Sequence, residues 1–369
     1  MISLEKTLLD QETLSELCSD TPPKTLNTSE IFAPNGFYGN DLIYKLYSNL
    51  PISYPLKFVL PHAPDYLNFK GMVWDAELLI DLPEIWCYSN QMFEIYSQAI
   101  RNLRITKDVV KSASPFIYLL KLLETDSIFT QRRGTIFFPS HSTHHITDET
   151  SYESLAAKLD LLEEEYKPIT VCVYWRDFNL GRHLPFVERG MRVVSAGHMY
   201  DPAFLFRFYH LCSLHKYSCA NNYGTAVLYS IKSGCSYFHL DTDHFIQNIL
   251  ENIDFNSKSL KSDPANYLFG KTSNAEENMK QCKIFADLFA TPKREMTREQ
   301  INFVDKILGC QFLKSSEEVT SLIMLAETKY VNKMKVSYSY LRNPIILIKY
   351  LFKSLPKSIS YKIYQSLTK

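Results

Sequence analysis

Between Gly134 and Leu240, short apolar runs alternate with helical patterns, and this alternation limits the possible folds more than any other feature of the chain. Thr135–Phe138 (TIFF), Ile169–Trp175 (ITVCVYW), Arg192–Ser195 (RVVS), Tyr217–Ala220 (YSCA) and Ser236–Leu240 (SYFHL) read as strands. They are apolar nearly throughout rather than at every second position, so both faces of their sheet must be covered. The segments between them have helical spacing. Leu155, Leu159, Leu162 and Tyr166 form one stripe behind a Thr150–Glu153 capping box, and Pro168 ends it. Phe204–Leu214 is rich in Phe and Leu, and a further helix runs from Thr225 through Lys232. Strands separated by helices predict an α/β fold with a parallel sheet and right-handed crossovers.

A second, less regular unit precedes this one. Glu30–Pro34 reads as a strand, Asn35-Gly36 as a turn, and Leu42, Ile43, Leu46, Tyr47 and Leu50 as one face of a helix. Lys57–Leu60 is a strand closed by Pro61 and Pro64, which forbid helix. Glu84–Tyr88 and Val109–Ser112 are further strands flanking a helix at Gln91–Leu103. The predicted organisation is an N-terminal extension (1–29), a first α/β unit (30–130), a second (131–245), a helical segment (246–328) and a basic aromatic tail (329–369).

Charge separates the tail from the rest. The chain has 40 Lys+Arg and 40 Asp+Glu, but nine of the basic residues and none of the acidic ones lie beyond Glu327. The tail therefore carries about +9 and the remainder about −9. From Pro344, Ile345, Ile348, Phe352, Leu355 and Ile359 fall on one side of a helix, with Lys349, Lys353 and Lys357 beside them. That pattern suits an anionic membrane surface, or packing of the tail onto the acidic part of the same chain. Overall neutrality gives no basic surface for nucleic acid. The eight cysteines lack CxxC or zinc-type spacing, and several sit inside apolar runs. With an acidic N-terminus free of any signal-peptide pattern, this predicts a reduced, cytoplasmic setting.

In an open parallel sheet, ligands bind beyond the carboxyl ends of the strands. Here four successive strand ends carry the unusual polar residues: Ser140-His141-Ser142-Thr143, Arg176-Asp177, Gly197-His198 and Asn221-Asn222-Tyr223-Gly224-Thr225. The last loop runs from strand into helix, where unsatisfied backbone N–H groups, Gly224 and the Thr225 hydroxyl suit a phosphate; an ordinary strand-to-helix turn would use the same residues. His141, Ser142 and His198 are candidates to meet a nucleotide. The three histidines at 141, 144 and 145 lack metal-ligand spacing, so no metal is expected. Asp177 is either a nucleophile or base, or the partner of Arg176 or Arg182 in an ion pair. His62, between Pro61 and Ala63 at a strand end of the first unit, is a candidate general base for an acceptor hydroxyl. Asn35, Gly36 and Tyr38 occupy a comparable place.

The segment Ser218-Cys219-Ala220-Asn221-Asn222-Tyr223-Gly224-Thr225-Ala226, with FFPSHST, VYWRD and VVSAGH before it, resembles the donor-binding half of GT-B glycosyltransferases of bacterial surface-polysaccharide assembly. The resemblance implies two Rossmann-like domains facing a cleft, with a helical C-terminal segment. It also implies a CMP- or UDP-linked sugar donor, a glycan or lipid-linked acceptor, and no cofactor beyond the donor. It carries a nucleotide site onto Ser142, His198, Asn222, Gly224 and Thr225, with Asp177 or His62 as the chemical group; the strand-end loops add His141 and Asn221 to that site. The chain lacks the Glu-x7-Glu and Asp-x-Asp patterns of some transferases. Two other readings share the frame: a nucleotide-sugar epimerase, and an assembly protein without catalysis.

Overall fold

The computed structural model describes residues 11–20, 30–64, 73–123, 131–142, 148, 150–222, 224–240, 283–290 and 294–341. After a short helix α1 (Gln11–Leu17), the Glu30–Pro34 segment departs from the strand expected of it: a 3-10 turn at Ala33–Gly39 leads directly into α2 (Asn40–Tyr47). Pro34 favours that turn, and Asn35 replaces the missing strand with its side chain. Its Nδ2 donates to the Phe58 carbonyl and its Oδ1 accepts from Leu60 N–H, both at 2.8 Å. Lys57–Leu60 accordingly contributes only a parallel bridge, Val59 to Ile85. Then follow α3 (Asp75–Leu79), β1 (Glu84–Cys87), α4 (Asn90–Leu103, capped by the Ser89 hydroxyl), β2 (Asp108–Lys111) and α5 (Pro115–Leu123). β1 and β2 are parallel, with Ile85 opposite Val109.

The second unit is the α/β sheet its sequence predicts. It comprises β3 (Thr135–Phe138), α6 (Tyr152–Asp160), β4 (Ile169–Cys172), α7 (Trp175–Asn179), α8 (Leu184–Glu188), β5 (Arg192–Val194), α9 (Phe204–Ser213), β6 (Tyr217–Ala220), α10 (Thr225–Lys232) and β7 (Ser236–His239). All five strands are parallel, in the order β5-β4-β3-β6-β7. Two local expectations fail. The cap of α6 is Ser151, whose hydroxyl accepts from Ser154 N–H, while Thr150 bonds Asp148 instead. β4 ends at Cys172 rather than Trp175, since its partner β5 stops at Val194 and Trp175 opens α7.

Alternation along the strands builds two cores. Phe137, Val171, Cys219 and Phe238 face α6 and α8. Ile136, Phe138, Val194, Ala220 and Tyr237 face α9 and α10. This second core continues into the first unit, through Tyr44, Phe58, Trp86 and Phe116. Phe116 of α5 stacks on Tyr229 of α10 at 4.1 Å and meets Phe208 of α9 edge-on at 6.1 Å. Helices α11 (Arg298–Leu308) and α12 (Ser316–Leu341) complete it with Val304, Leu308, Val319 and Ile323. Between them Gly309 has φ +70°, and a Cβ there would lie 2.1 Å from the Tyr88 carbonyl, so only glycine lets the chain pass.

The basic run begins on α12 by pairing with the first unit. Lys329 Nζ lies 2.7 Å from Glu84 Oε1 and 2.6 Å from Asp108 Oδ2, and Lys333 pairs with Asp81. Lys349, Lys353 and Lys357 lie outside the described residues. Among the described residues, no helix is long and apolar enough to cross a membrane.

Candidate functional site

The strand order reverses direction between β3 and β6: the chain leaves β3 toward β4 and β5, then returns to β6 on the other side. Such a switch point opens a crevice at the strands' carboxyl ends. Ser140 and Asn221 face each other across it. Asn221 Oδ1 accepts from Ser140 N–H at 2.8 Å, and Asn221 Nδ2 donates to Ser140 Oγ at 2.9 Å. Asn221 thus fixes both loops at the mouth of the crevice.

Asp177 and Arg182 hold the β3 loop from behind. Asp177 is fully buried; its Oδ2 accepts from Ser142 N–H at 2.9 Å and its Oδ1 from Arg182 Nη1 at 2.8 Å. Arg182 also donates to Thr150 O (2.7 Å) and Ser142 Oγ (3.2 Å), and lies over the Tyr152 ring at 4.0 Å. The Ser142 hydroxyl accepts from Asp148 N–H as well, and that side chain is fully buried. Of the two roles the sequence left open for Asp177, the geometry is that of the ion pair with Arg182. With both oxygens bonded and no exposure, the carboxylate anchors the loop that presents His141. Ser142 belongs to the same anchor.

The histidines are joined by an aromatic track. His141 is exposed against Tyr174 at 4.6 Å, and Tyr174 neighbours Trp175 at 5.9 Å. Trp175 stacks on His198 (4.6 Å), His198 on Tyr200 (5.1 Å), and Tyr200 meets Phe37 (5.3 Å). Phe37 then reaches His62 at 5.6 Å, which stacks on Trp74 at 4.9 Å. The track crosses from the second unit to the first and connects His62, His198 and His141, some 136 residues apart at most in the sequence. Its middle members, Trp175 and His198, are buried, so of the three histidine rings it is His141 that is exposed and His62 that is half-buried. The crossing is held by the backbone: Tyr38 N–H donates to Met199 O at 2.6 Å. Gly39, at φ +81°, lies so close to Pro202 that a Cβ would sit 2.1 Å from its carbonyl oxygen.

Burial lowers the pKa of His62 to about 4, so its ring is neutral at pH 7. Its Nδ1 is buried with no hydrogen-bond partner among the described residues, an uncommon condition that calls for a ligand or water. Its backbone is fixed by Glu77, whose Oε1 accepts from His62 N–H at 3.1 Å and whose Oε2 accepts from Tyr96 OH at 2.5 Å. Burial raises the Glu77 carboxyl to about 7, against the lowering effect of those bonds. Burial also pushes the Tyr38 phenol up.

At α10, Gly224 is the N-cap in an extended conformation, and no side chain caps the helix. A Cβ on Gly224 would meet nothing within 4 Å. Thr225 is half-buried and Asn222 exposed, so this turn is open to a ligand. Tyr223, Thr143, His144 and His145 lie outside the described residues.

The structure thus gathers His62, His141, His198 and Asn221 at one end of the sheet, with Gly224 and Thr225 at the start of α10, and moves Asp177 and Ser142 behind it. The sequence reading missed the rings that join the histidines. Tyr174 and Trp175 read as strand residues, and only the position of Tyr200, two after His198, hinted at a shared loop. A cavity of about 690 Å³ lies at the opposite, amino end of the sheet and contains none of these residues. The strand-end crevice is the better candidate for the site, since the switch point lies there and the exposed His141, Asn222 and Gly224 border it. The fold defines a Rossmann-like α/β protein with a parallel sheet. No family model, curated protein or solved structure matches this chain.

Proposed function

We propose that this protein is a glycosyltransferase of the GT-B type that moves a sugar from a CMP- or UDP-linked donor to a glycan or lipid-linked acceptor. The observation that carries the reading is the aromatic track linking His62 of the first unit, through His198 beyond the edge strand β5, to His141 beside the switch point of the second. Aromatic faces suit bases and the apolar faces of sugars, and an uncapped helix start suits a phosphate. In this reading the donor's nucleotide lies against His141 and Tyr174, with buried His198 backing them through Trp175 and the phosphate at Gly224 and Thr225. Asn221 and Asn222 shape the loop around it. The acceptor enters along Phe37, His62 and Trp74.

The chemistry is a displacement at the anomeric carbon. Neutral His62 takes the acceptor hydroxyl proton as that oxygen bonds to carbon. The carbon–oxygen bond to phosphate breaks, and the nucleotide departs with the electron pair. Hydrogen bonds from the start of α10 would stabilise the growing phosphate charge. A histidine held near 4 is a weak base, and an adjacent phosphate anion strengthens it by favouring the imidazolium. The two units would act as lobes facing a donor–acceptor cleft.

Of the nine tail cations, Lys329 and Lys333 pair with the first unit; others, among them Lys349, Lys353 and Lys357, would meet an anionic membrane at the cytoplasmic face. At about 1 kcal/mol each, a few suffice for adhesion. The test is release of nucleotide from CMP- and UDP-sugars in the presence of lipid-linked acceptors. Turnover in the wild type that falls in His62→Ala supports the reading, and turnover unchanged in His62→Ala overturns it. The sequestration of Asp177 favours a second reading, a polysaccharide-assembly protein that binds the nucleotide without chemistry. It predicts binding without turnover.

A further inference from the structure

The cavity at the amino end of the sheet has a character of its own. It opens where β3, β4 and β5 begin, about 7–10 Å from their carboxyl ends at roughly 3.3 Å per residue. Its lining is predominantly cationic. Arg133 precedes β3, Lys167 precedes β4, Arg189 follows α8 and Arg192 opens β5, against one acid, Asp160 at the end of α6. Arg189 lies 2.6 Å from Glu153 and Lys167 2.9 Å from Glu164, both outside the cavity. The two glutamates are 58% and 88% exposed, so water competes for them and the pairs are weak.

The walls between the charges are apolar, from Pro168, Ile169, Met191 and Leu214. The polar floor is already satisfied. His215 Nδ1 lies 2.7 Å from the Leu211 carbonyl, which can only accept, so Nδ1 carries the proton and Nε2 accepts from Thr170 Oγ1 at 2.8 Å. Burial holds the His215 pKa down, with the Leu211 carbonyl opposing and the Arg192 charge adding to it. The floor is therefore neutral, and it neither cancels nor extends the positive lining.

We propose that this cavity binds a small organic anion, a phosphate or carboxylate carried on a compact organic body, at a second site separate from the strand-end crevice. Guanidinium forks such as those of Arg133 and Arg192 match the paired oxygens of either anion. The apolar walls take the body, and the volume falls within the usual range for small-ligand sites. The site does not depend on the transferase reading.

Calorimetric titration of the full chain at low salt tests it with three probes: glucose phosphate, trigalacturonate and neutral maltotriose. Binding of either anion without binding of maltotriose supports the proposal, and the anion that binds tells a phosphate source from a carboxylate one. Arg133→Ala/Arg192→Ala should weaken that binding roughly ten- to hundredfold, while Gly224→Val at the other end leaves it unchanged. Both arginines are exposed, and a cooperative thermal melt shows that the double variant is folded when its binding is read. A measurement on the unsubstituted protein reads the same cavity: the His215 ring-proton resonances shift as anion is added. Absence of binding by both anions, equal binding of maltotriose, full affinity in the double variant, or His215 resonances that stay in place overturns the proposal.

Discussion

Replacing Asp177 by alanine separates an anchoring carboxylate from a chemical one. The fully buried side chain accepts from Ser142 N–H and from Arg182 Nη1. Its removal leaves a buried amide without a partner, at about 1–3 kcal/mol. Arg182, 17% exposed, keeps its bonds to Thr150 O and Ser142 Oγ and, as an anionic partner, Asp148 at 3.5 Å. Breaking a buried pair costs about 3–5 kcal/mol, and the partial exposure of Arg182 brings that figure down. A total of roughly 3–5 kcal/mol follows. Unfolding entropy near 2 cal/mol/K per residue over 369 residues turns this into a fall of roughly 5 °C in the midpoint, if the chain unfolds cooperatively. Asp177→Asn keeps an acceptor for Ser142 N–H and loses the charge, so it should lie between wild type and alanine. Differential scanning calorimetry of the three proteins gives the order. Turnover abolished in Asp177→Ala with an unchanged midpoint would refute the anchoring role and restore the carboxylate as a chemical group.

Further expectations concern pH, the seam and the tail. Glu77 is raised in the fold to about 7 from an ordinary 4.5, so the folded state holds the extra proton, and this stability is lost as pH rises from about 4.5 through 7. Glu77→Gln should flatten that slope and stabilise the protein above pH 7 in denaturant melts. His62 is lowered to about 4 from 6.5, so the unfolded state takes the proton first and stability falls as pH drops through that window. His62→Gln should remove this acid sensitivity, and a slope unchanged in the variant would contradict the burial of the ring. Gly39→Ala combines left-handed strain with the contact on Pro202; a loss of about 3 kcal/mol or more is expected in chemical denaturation, and a loss under 1 kcal/mol would mean that the seam is loose. Lys329→Ala leaves the Glu84 carboxylate, 2% exposed, without its cation, and should cost about 1–3 kcal/mol by the same measurement.

The second unit was legible because its strands are buried on both faces, which writes continuous apolar runs into the sequence. TIFF, YSCA and the helix from Thr225 to Lys232 are found where their patterns put them. The first unit was less legible for a physical reason: Asn35 substitutes a side-chain amide for a strand, an exchange that propensity cannot register. The strand-end rule located the site from loop positions alone. It could not tell an exposed polar residue from a buried one, so Ser142 and His198 read as ligand contacts and Asp177 as either a chemical group or an ion-pair partner, although His198 is buried and Arg182, five residues beyond Asp177, draws Asp177 and Ser142 inward. The aromatic track depends on contacts between Phe37 and Tyr200, 163 positions apart, and no local pattern carries that information.

The central claim, a nucleotide-sugar site at the switch point, is tested most directly by thermal titration with CMP-, UDP- and GDP-sugars, comparing the wild type with Gly224→Val. A Cβ at 224 meets nothing within 4 Å and the backbone there is extended, so the substitution should leave the ligand-free midpoint in place while filling the turn that would receive the phosphate. Ligand at a hundred times its dissociation constant stabilises by about 2.7 kcal/mol. The account predicts a concentration-dependent rise with one nucleotide class that disappears in Gly224→Val. No rise with any nucleotide, or the same rise in both proteins, would contradict it.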